Sequence, residues 1–257
     1  MNLDLKDKTA LVCGASQGLG LAIAKALAAE GCKVGLLARN KAKLDVHVQD
    51  FATKGLAAVA LPADMGDWEQ VKAALEHFGP PDILVNNSGG PPPVDVTKVE
   101  PDLWRKQFET MVLNQMRLTE ALLPRMRVNG FGRILSVAST SIVEPIAGLA
   151  ISNSLRAALA GWMKTLSAEV ARDGVTINML LPGSFATERI DTMNAREAEA
   201  RGVLVEQVVA ESSAQIPVGR YGDPREFAAV AAFLVSPRAS YVTGQMIRID
   251  GGSTKSV

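Results

Sequence analysis

The sequence predicts an α/β domain, with a doubly wound, parallel, seven-stranded sheet held between two layers of helices as a three-layer sandwich. Three observations predict it. Short apolar runs alternate with helical patterns along all 257 residues. The runs are almost continuously apolar, as strands buried on both faces must be. No Pro- or Ser-rich linker, internal repeat or low-complexity tract interrupts the alternation, so residues 1–257 read as a single domain. Strand patterns fall near 9–13, 33–38, 56–61, 82–86, 133–138, 175–181 and 246–249. Helix patterns fall near 18–30, 41–53, 67–78, 101–128, 151–172 and 224–236. Right-handed crossovers between parallel strands then place helices on both faces.

Composition narrows the function. A domain of this size buries about three quarters of the surface its unfolded chain exposes, so it needs neither disulfide nor metal. Cys13 and Cys32 lie in or beside apolar segments and read as structural filler in a reducing compartment. Basic and acidic residues number 27 each and are interspersed, which leaves no electrostatic footprint for nucleic acid. No charged region followed by an apolar stretch opens the chain, and no run reaches membrane-spanning length. The expectation is a soluble, cytoplasmic protein with a small-molecule substrate.

The first strand, Thr9 to Cys13, runs into Gly14, Ser16, Gln17, Gly18, Leu19 and Gly20 and then into a small-residue helix pattern. Glycines in such a strand-to-helix turn let a dinucleotide's phosphates approach bare backbone at the positive end of the helix. This is the phosphate site of a Rossmann-like sheet. The second strand ends in Ala38-Arg39-Asn40. An acidic residue at that place would bind the ribose of NAD, whereas here Ala38 precedes a guanidinium that can hold a 2′-phosphate through two charge-assisted bonds. NADP is therefore expected in preference to NAD. After the third strand comes Asp64, with helix N-capping as a rival role. After the fourth come Asn86-Asn87-Ser88-Gly89 and a stiff Gly90-Pro91-Pro92-Pro93 loop at the carboxyl edge of the sheet.

The G-x3-G-x-G turn and the Asn86–Gly89 segment resemble the short-chain dehydrogenase/reductase family. Further blocks repeat the likeness in order: Pro182-Gly183 with Thr187, Pro217-Val218-Gly219-Arg220, Pro224-Arg225-Glu226, Tyr241-Val242-Thr243-Gly244 and Asp250-Gly251-Gly252. The resemblance implies hydride transfer between a nicotinamide and a carbonyl or hydroxyl group. It adds Asp64, Asn87, Ser88, Gly89, Pro182, Gly183 and Thr187 to the cofactor site. It implies a substrate-covering insertion at about 184–213, with Gly202 as a break. It also implies a homo-oligomer, most simply a tetramer, built from the helix patterns at 101–128 and 151–172 and the closing segment Gln245–Asp250.

At the catalytic positions the family pattern breaks. The family uses a Ser, an Asn, and a Tyr and Lys four residues apart on one helix. Here Ser139 follows the fifth strand and Asn114 lies in Met111-Val112-Leu113-Asn114. The segment Ser154-Leu155-Arg156-Ala157-Ala158-Leu159 aligns Arg156 with the lysine and Ser152 with the tyrosine. An aliphatic hydroxyl is a far weaker acid than a phenol of pKa about 10. An arginine cannot give up a proton at neutral pH. Tyr221 and Tyr241 both lie in the carboxyl-terminal segment, and His47 and His77 fall on helix patterns that read as solvent-facing. An Arg at the lysine position resembles the halohydrin dehalogenases, which keep the tyrosine and lose the nucleotide turn; this chain does the reverse.

Three functions fit these residues. The first is an NADP(H)-dependent oxidoreductase in which Ser139 and Ser152 bind the reacting oxygen, Asn114 supports a water chain, and Arg156 holds ribose hydroxyls or a substrate carboxylate. The second is a non-redox lyase or hydrolase acting on an anionic keto compound. The third is a nucleotide-binding protein without turnover. Glu144, Pro145, Phe185, Glu188 and Arg189 are expected to line the substrate pocket.

Overall fold

Short, mostly aliphatic segments make up the seven strands. The computed structural model describes residues 2–91 and 93–256, so Pro92 of the expected stiff loop lies outside the described residues. The strands are β1 (Thr9–Cys13), β2 (Lys33–Ala38), β3 (Ala58–Pro62), β4 (Ile83–Asn86), β5 (Gly132–Val137), β6 (Val175–Pro182) and β7 (Met246–Ile249). They form one sheet in the order β3-β2-β1-β4-β5-β6-β7, and every pairing is parallel. The order reverses between β1 and β4, where sheets of this kind hold ligands beyond their carboxyl ends.

Strand alternation divides the core into two layers. Ala10 and Val12 of β1, with Ile83 and Val85 of β4, face α1 (Gly18–Ala29), α2 (Lys41–Thr53) and α9 (Pro224–Leu234). Leu11, Cys13 and Leu84 face α3 (Trp68–Phe78), α5 (Asn114–Val128) and α6 (Ala150–Val170). Burial pushes the thiols of Cys13 and Cys32 up to about 12, so both remain protonated and inert, as filler should. Among the described residues no helix is long and apolar enough to cross a membrane.

The expected helix at 101–128 differs from a single α-helix. It comprises α4 (Pro101–Phe108), a π-helical turn at Glu109–Leu113, and then α5. The Asn114 amide reaches back to the Glu109 carbonyl. The wider turn brings Met111 and Val112 against Ile151 and Leu155 of α6, where all four are buried. Packing outweighs regular hydrogen bonding here, as it often does in π turns near functional sites.

The insertion after β6 forms two helices, α7 (Glu188–Arg201) and α8 (Val205–Ala214). Gly202 closes α7 at φ +65°, a left-handed position that favours glycine.

Candidate active site

The residues singled out along the chain follow the carboxyl ends of β1 to β6, and because every pairing is parallel those ends lie along one edge of the sheet. Gly14 and Gly18 take φ values of +62° and +58°. A β carbon on Gly14 or Gly20 would lie 2.7 Å from the side-chain nitrogen of Asn87. The turn therefore closes on Asn87 only as bare backbone. Gln17 stands at the N-cap of α1, where no side chain caps the helix and no acidic residue occupies the first turn. Amides left free in this way, at the positive end of a helix, suit a pyrophosphate. Thr187 approaches from above, its methyl group 3.7 Å from where a Gly18 β carbon would be. Gly89 has neither a positive φ nor a neighbour within 4 Å of a β carbon, so its bareness leaves room for a ligand rather than for the protein's own packing. These features fit a dinucleotide.

Arg39 is exposed at the end of β2, and among the described residues no carboxylate pairs with it within 4 Å. Asp64 accepts from the Gly66 amide at 2.9 Å and does not cap a helix; Asp67 caps α3 instead, accepting from the Glu69 and Gln70 amides. Ser88 is buried and accepts from Gln115 at 3.2 Å. Pro182 ends β6, and Gly183 serves packing, since a β carbon there would sit 2.7 Å from the Asp250 Cα.

Ser152 and Arg156 share one face of α6, one turn apart. Arg156 Nε donates to Ser152 Oγ at 3.2 Å, and Nη1 donates to the Val137 carbonyl at 2.9 Å. The guanidinium thereby ties α6 to the end of β5, two residues before Ser139. Its burial, and after that the charge of Arg189, lower its pKa to about 10, so it stays cationic at neutral pH. Ser139 Oγ accepts from the Ser141 amide at 3.1 Å, which leaves its own hydroxyl hydrogen free to donate. Asn114 is fully buried; its amide donates to the Met65 carbonyl at 2.8 Å and its Oδ1 accepts from Arg117 at 3.1 Å.

Several expectations need correction. His47 is half-buried rather than solvent-facing, with Nε2 2.9 Å from the Ser16 carbonyl. It lines a cavity of about 360 Å³ with Ser16, Gln17 and Lys43. Lys43 itself donates to Gln17 at 2.9 Å and to Glu188 at 3.1 Å. The helical spacing of Lys43 and His47, one turn beyond Arg39-Asn40, was the available signal for both. The Phe185 ring is buried edge-on against Phe227, with centroids 5.3 Å apart, because an apolar ring gains more from the core than from solvent. Glu144 turns to the carboxyl-terminal tail and accepts from the Lys255 and Ser256 amides. Glu188 pairs with Lys43 at 3.1 Å. Tyr221 donates to Asn194 of α7, and Tyr241 is fully exposed.

A family model described as enoyl-(acyl carrier protein) reductase matches residues 14–254. The 3-oxoacyl-(acyl-carrier-protein) reductase FabG of Vibrio cholerae serotype O1 is 34% identical over 251 residues, spanning 97% of this chain and 98% of that protein. The crystal structure of L-sorbose reductase from Gluconobacter frateurii, complexed with NADPH and L-sorbose, superposes with a TM-score of 0.95 at 31% identity over 100% of both chains. An actinorhodin polyketide ketoreductase structure with NADPH gives a TM-score of 0.90 at 31% identity, over 97% of this chain and 98% of that one.

Proposed function

Since the chain belongs to the short-chain dehydrogenase/reductase family, we propose that it is an NADP(H)-dependent oxidoreductase interconverting a carbonyl and a hydroxyl group. The observation that carries this reading is Arg39, an unpaired cation where a ribose-binding carboxylate would select NAD, beside a glycine turn with free helix amides. The cofactor supplies or accepts the hydride, so that carbonyl, hydride and proton balance as a hydroxyl. The remaining work falls to the chain.

Ser152 and Arg156 take the places of the family's tyrosine and lysine. Ser152 Oγ already accepts a bond from the guanidinium, so its hydrogen points elsewhere and is polarised toward donation. With the Ser139 hydroxyl it forms a two-donor cradle for the reacting oxygen, stabilising charge that develops there. The Asn114 amide and carbonyl each retain one hydrogen-bonding position beyond those used by Met65 and Arg117. Water ordered there relays the proton. The helices α7 and α8, which make up most of residues 184–214, form a lid that excludes bulk solvent. The protein works in the cytoplasm as a homotetramer.

The test is NADPH oxidation followed at neutral pH across a panel of ketones, aldehydes and oxo acids, with NADH in parallel. Oxidation of NADPH, with the matching alcohol among the products, supports the reading. A product formed without cofactor oxidation would replace it with a non-redox reaction.

A further inference from the structure

Two guanidinium groups stand beyond the carboxyl ends of the neighbouring strands β4 and β5, Arg189 over Gly90 and Arg156 on the Val137 carbonyl. Arg156 rises from α6 and spends Nε on Ser152 and Nη1 on a backbone carbonyl, which leaves Nη2 uncommitted. Arg189 descends from the first turn of α7 and lies over the Gly90 backbone; a β carbon on Gly90 would sit 2.6 Å from its Nη2. Gly90 has an ordinary φ, so the absence of a side chain there makes room for this cation. Among the described residues neither arginine lies within 4 Å of an acidic group, whereas Arg201 on the same α7 is held by Glu197 and Glu211.

The first turn of α7 holds Glu188 and Asp191 beside Arg189. Glu188 turns away to Lys43, and neither acid lies within 4 Å of the Arg189 guanidinium. The charge of Arg189 works against that of Arg156. An anion between the two guanidinium groups removes this repulsion, and planar carboxylates suit guanidinium forks.

We infer that Arg156 and Arg189 form a clamp for a substrate carboxylate, so that the substrate is an oxo acid or the corresponding hydroxy acid. The inference rests on the oxidoreductase reading for the carbonyl alone; the clamp itself needs no redox step. Arg189 belongs to the lid and Arg156 to the floor, so the acid group also draws the lid closed over the serines.

The experiment uses the full chain loaded with NADP⁺ and titrated calorimetrically with pyruvate, 3-oxobutanoate and 4-oxopentanoate, each against its methyl ester. At least one acid should bind more tightly than its ester by about tenfold to hundredfold, the range of one charge-assisted bond. Arg189→Gln should erase that preference, and Arg189→Lys should keep part of it. Arg189 is exposed, so both variants should fold, which a thermal melt checks. Equal affinities for every acid and ester, no binding by any acid, or a preference unchanged in Arg189→Gln would each overturn the clamp. NADPH oxidation measured alongside separates the two claims. Acid binding that depends on Arg189 but gives no cofactor oxidation keeps the clamp and removes the redox reading. Esters reduced as fast as acids would do the opposite.

Discussion

Arg156 Nε donates to Ser152 Oγ at 3.2 Å, and the same guanidinium reaches the Val137 carbonyl at the end of β5. A lysine would have to direct its three donors from one nitrogen. The guanidinium serves the two acceptors from separate nitrogens and keeps Nη2 free, because its five donors are fixed in a plane. The pairing gives a polarised hydroxyl beside a fixed cation.

The first prediction concerns that pair. Ser152→Tyr combined with Arg156→Lys should raise NADPH oxidation with simple ketones by up to about 10²- to 10⁴-fold, the usual value of a positioned general acid. Each change alone should give less, because the tyrosine needs the cation to lower its pKa. Initial rates for the parent and the three variants decide it. A double variant that binds NADPH and gains nothing would mean that the surrounding pocket also opposes ketone reduction.

Cofactor preference should follow Arg39. Arg39→Asp removes the partner of a 2′-phosphate and supplies a ribose acceptor, so the ratio of NADPH to NADH affinity should fall by tenfold or more, given about 1.5–3 kcal/mol per charge-assisted bond. Calorimetry on both proteins with both cofactors measures the ratio. Equal affinities in the parent would refute the assignment.

Phe185 should act as an anchor rather than as a contact for substrate. Phe185→Ala empties a buried site against Phe227 and should cost about 3–5 kcal/mol in denaturant unfolding. Phe185→Leu should recover much of the stability. An alanine variant of parental stability with altered substrate preference would return Phe185 to the pocket.

The cap of α9 sets an acid limit. Bonds from Arg225 and Arg220 hold Asp223 and Glu226 down at about 2, below their ordinary values of 3.8 and 4.5. Folded-state values below the unfolded ones mean that the stabilisation is complete above about pH 5. It fades as pH falls through the ordinary values toward 2. Asp223→Ala should therefore lower the melting midpoint by a few degrees at pH 7, and the gap to the parent should close by about pH 2. A gap independent of pH would assign the effect to packing.

Assembly is tested by mass. Exposed Phe108 at the end of α4 and Met246 on the edge strand β7 leave apolar surface at the elements expected to form two-fold interfaces. Light scattering at micromolar concentration should give a tetramer. A monomer mass would remove the proposal.

The sequence carried the fold well because parallel strands buried on both faces leave an unmistakable apolar record, and β1, β2 and β7 have the expected limits. Positions defined by backbone were also legible. Gly14, Gly18 and Gly202 hold positive φ values, and the site at the strand ends follows from the topology. Side-chain direction was not legible. Phe185 stands near the site in sequence yet packs on Phe227, and nothing in the spacing signals that Glu144 would accept from the carboxyl-terminal tail or Asp64 from the Gly66 amide. Lys43 and His47 were hidden for the complementary reason, since a charged helix face reads the same whether it meets solvent or a neighbouring loop.

The π-helical turn at Glu109–Leu113 behaves like one residue spliced into an otherwise regular helix. Removing a single residue within it should therefore restore an unbroken α-helix and leave Asn114, Leu118 and Leu122 on their present faces. What the deletion would take away is the local bulge that carries Met111 and Val112 against Ile151 and Leu155. The same deletion a turn or two later, within α5, has no bulge to absorb it and would turn the rest of the helix by about 100°. One residue can thus be lost at Glu109–Leu113 at far lower cost than anywhere else along the helix.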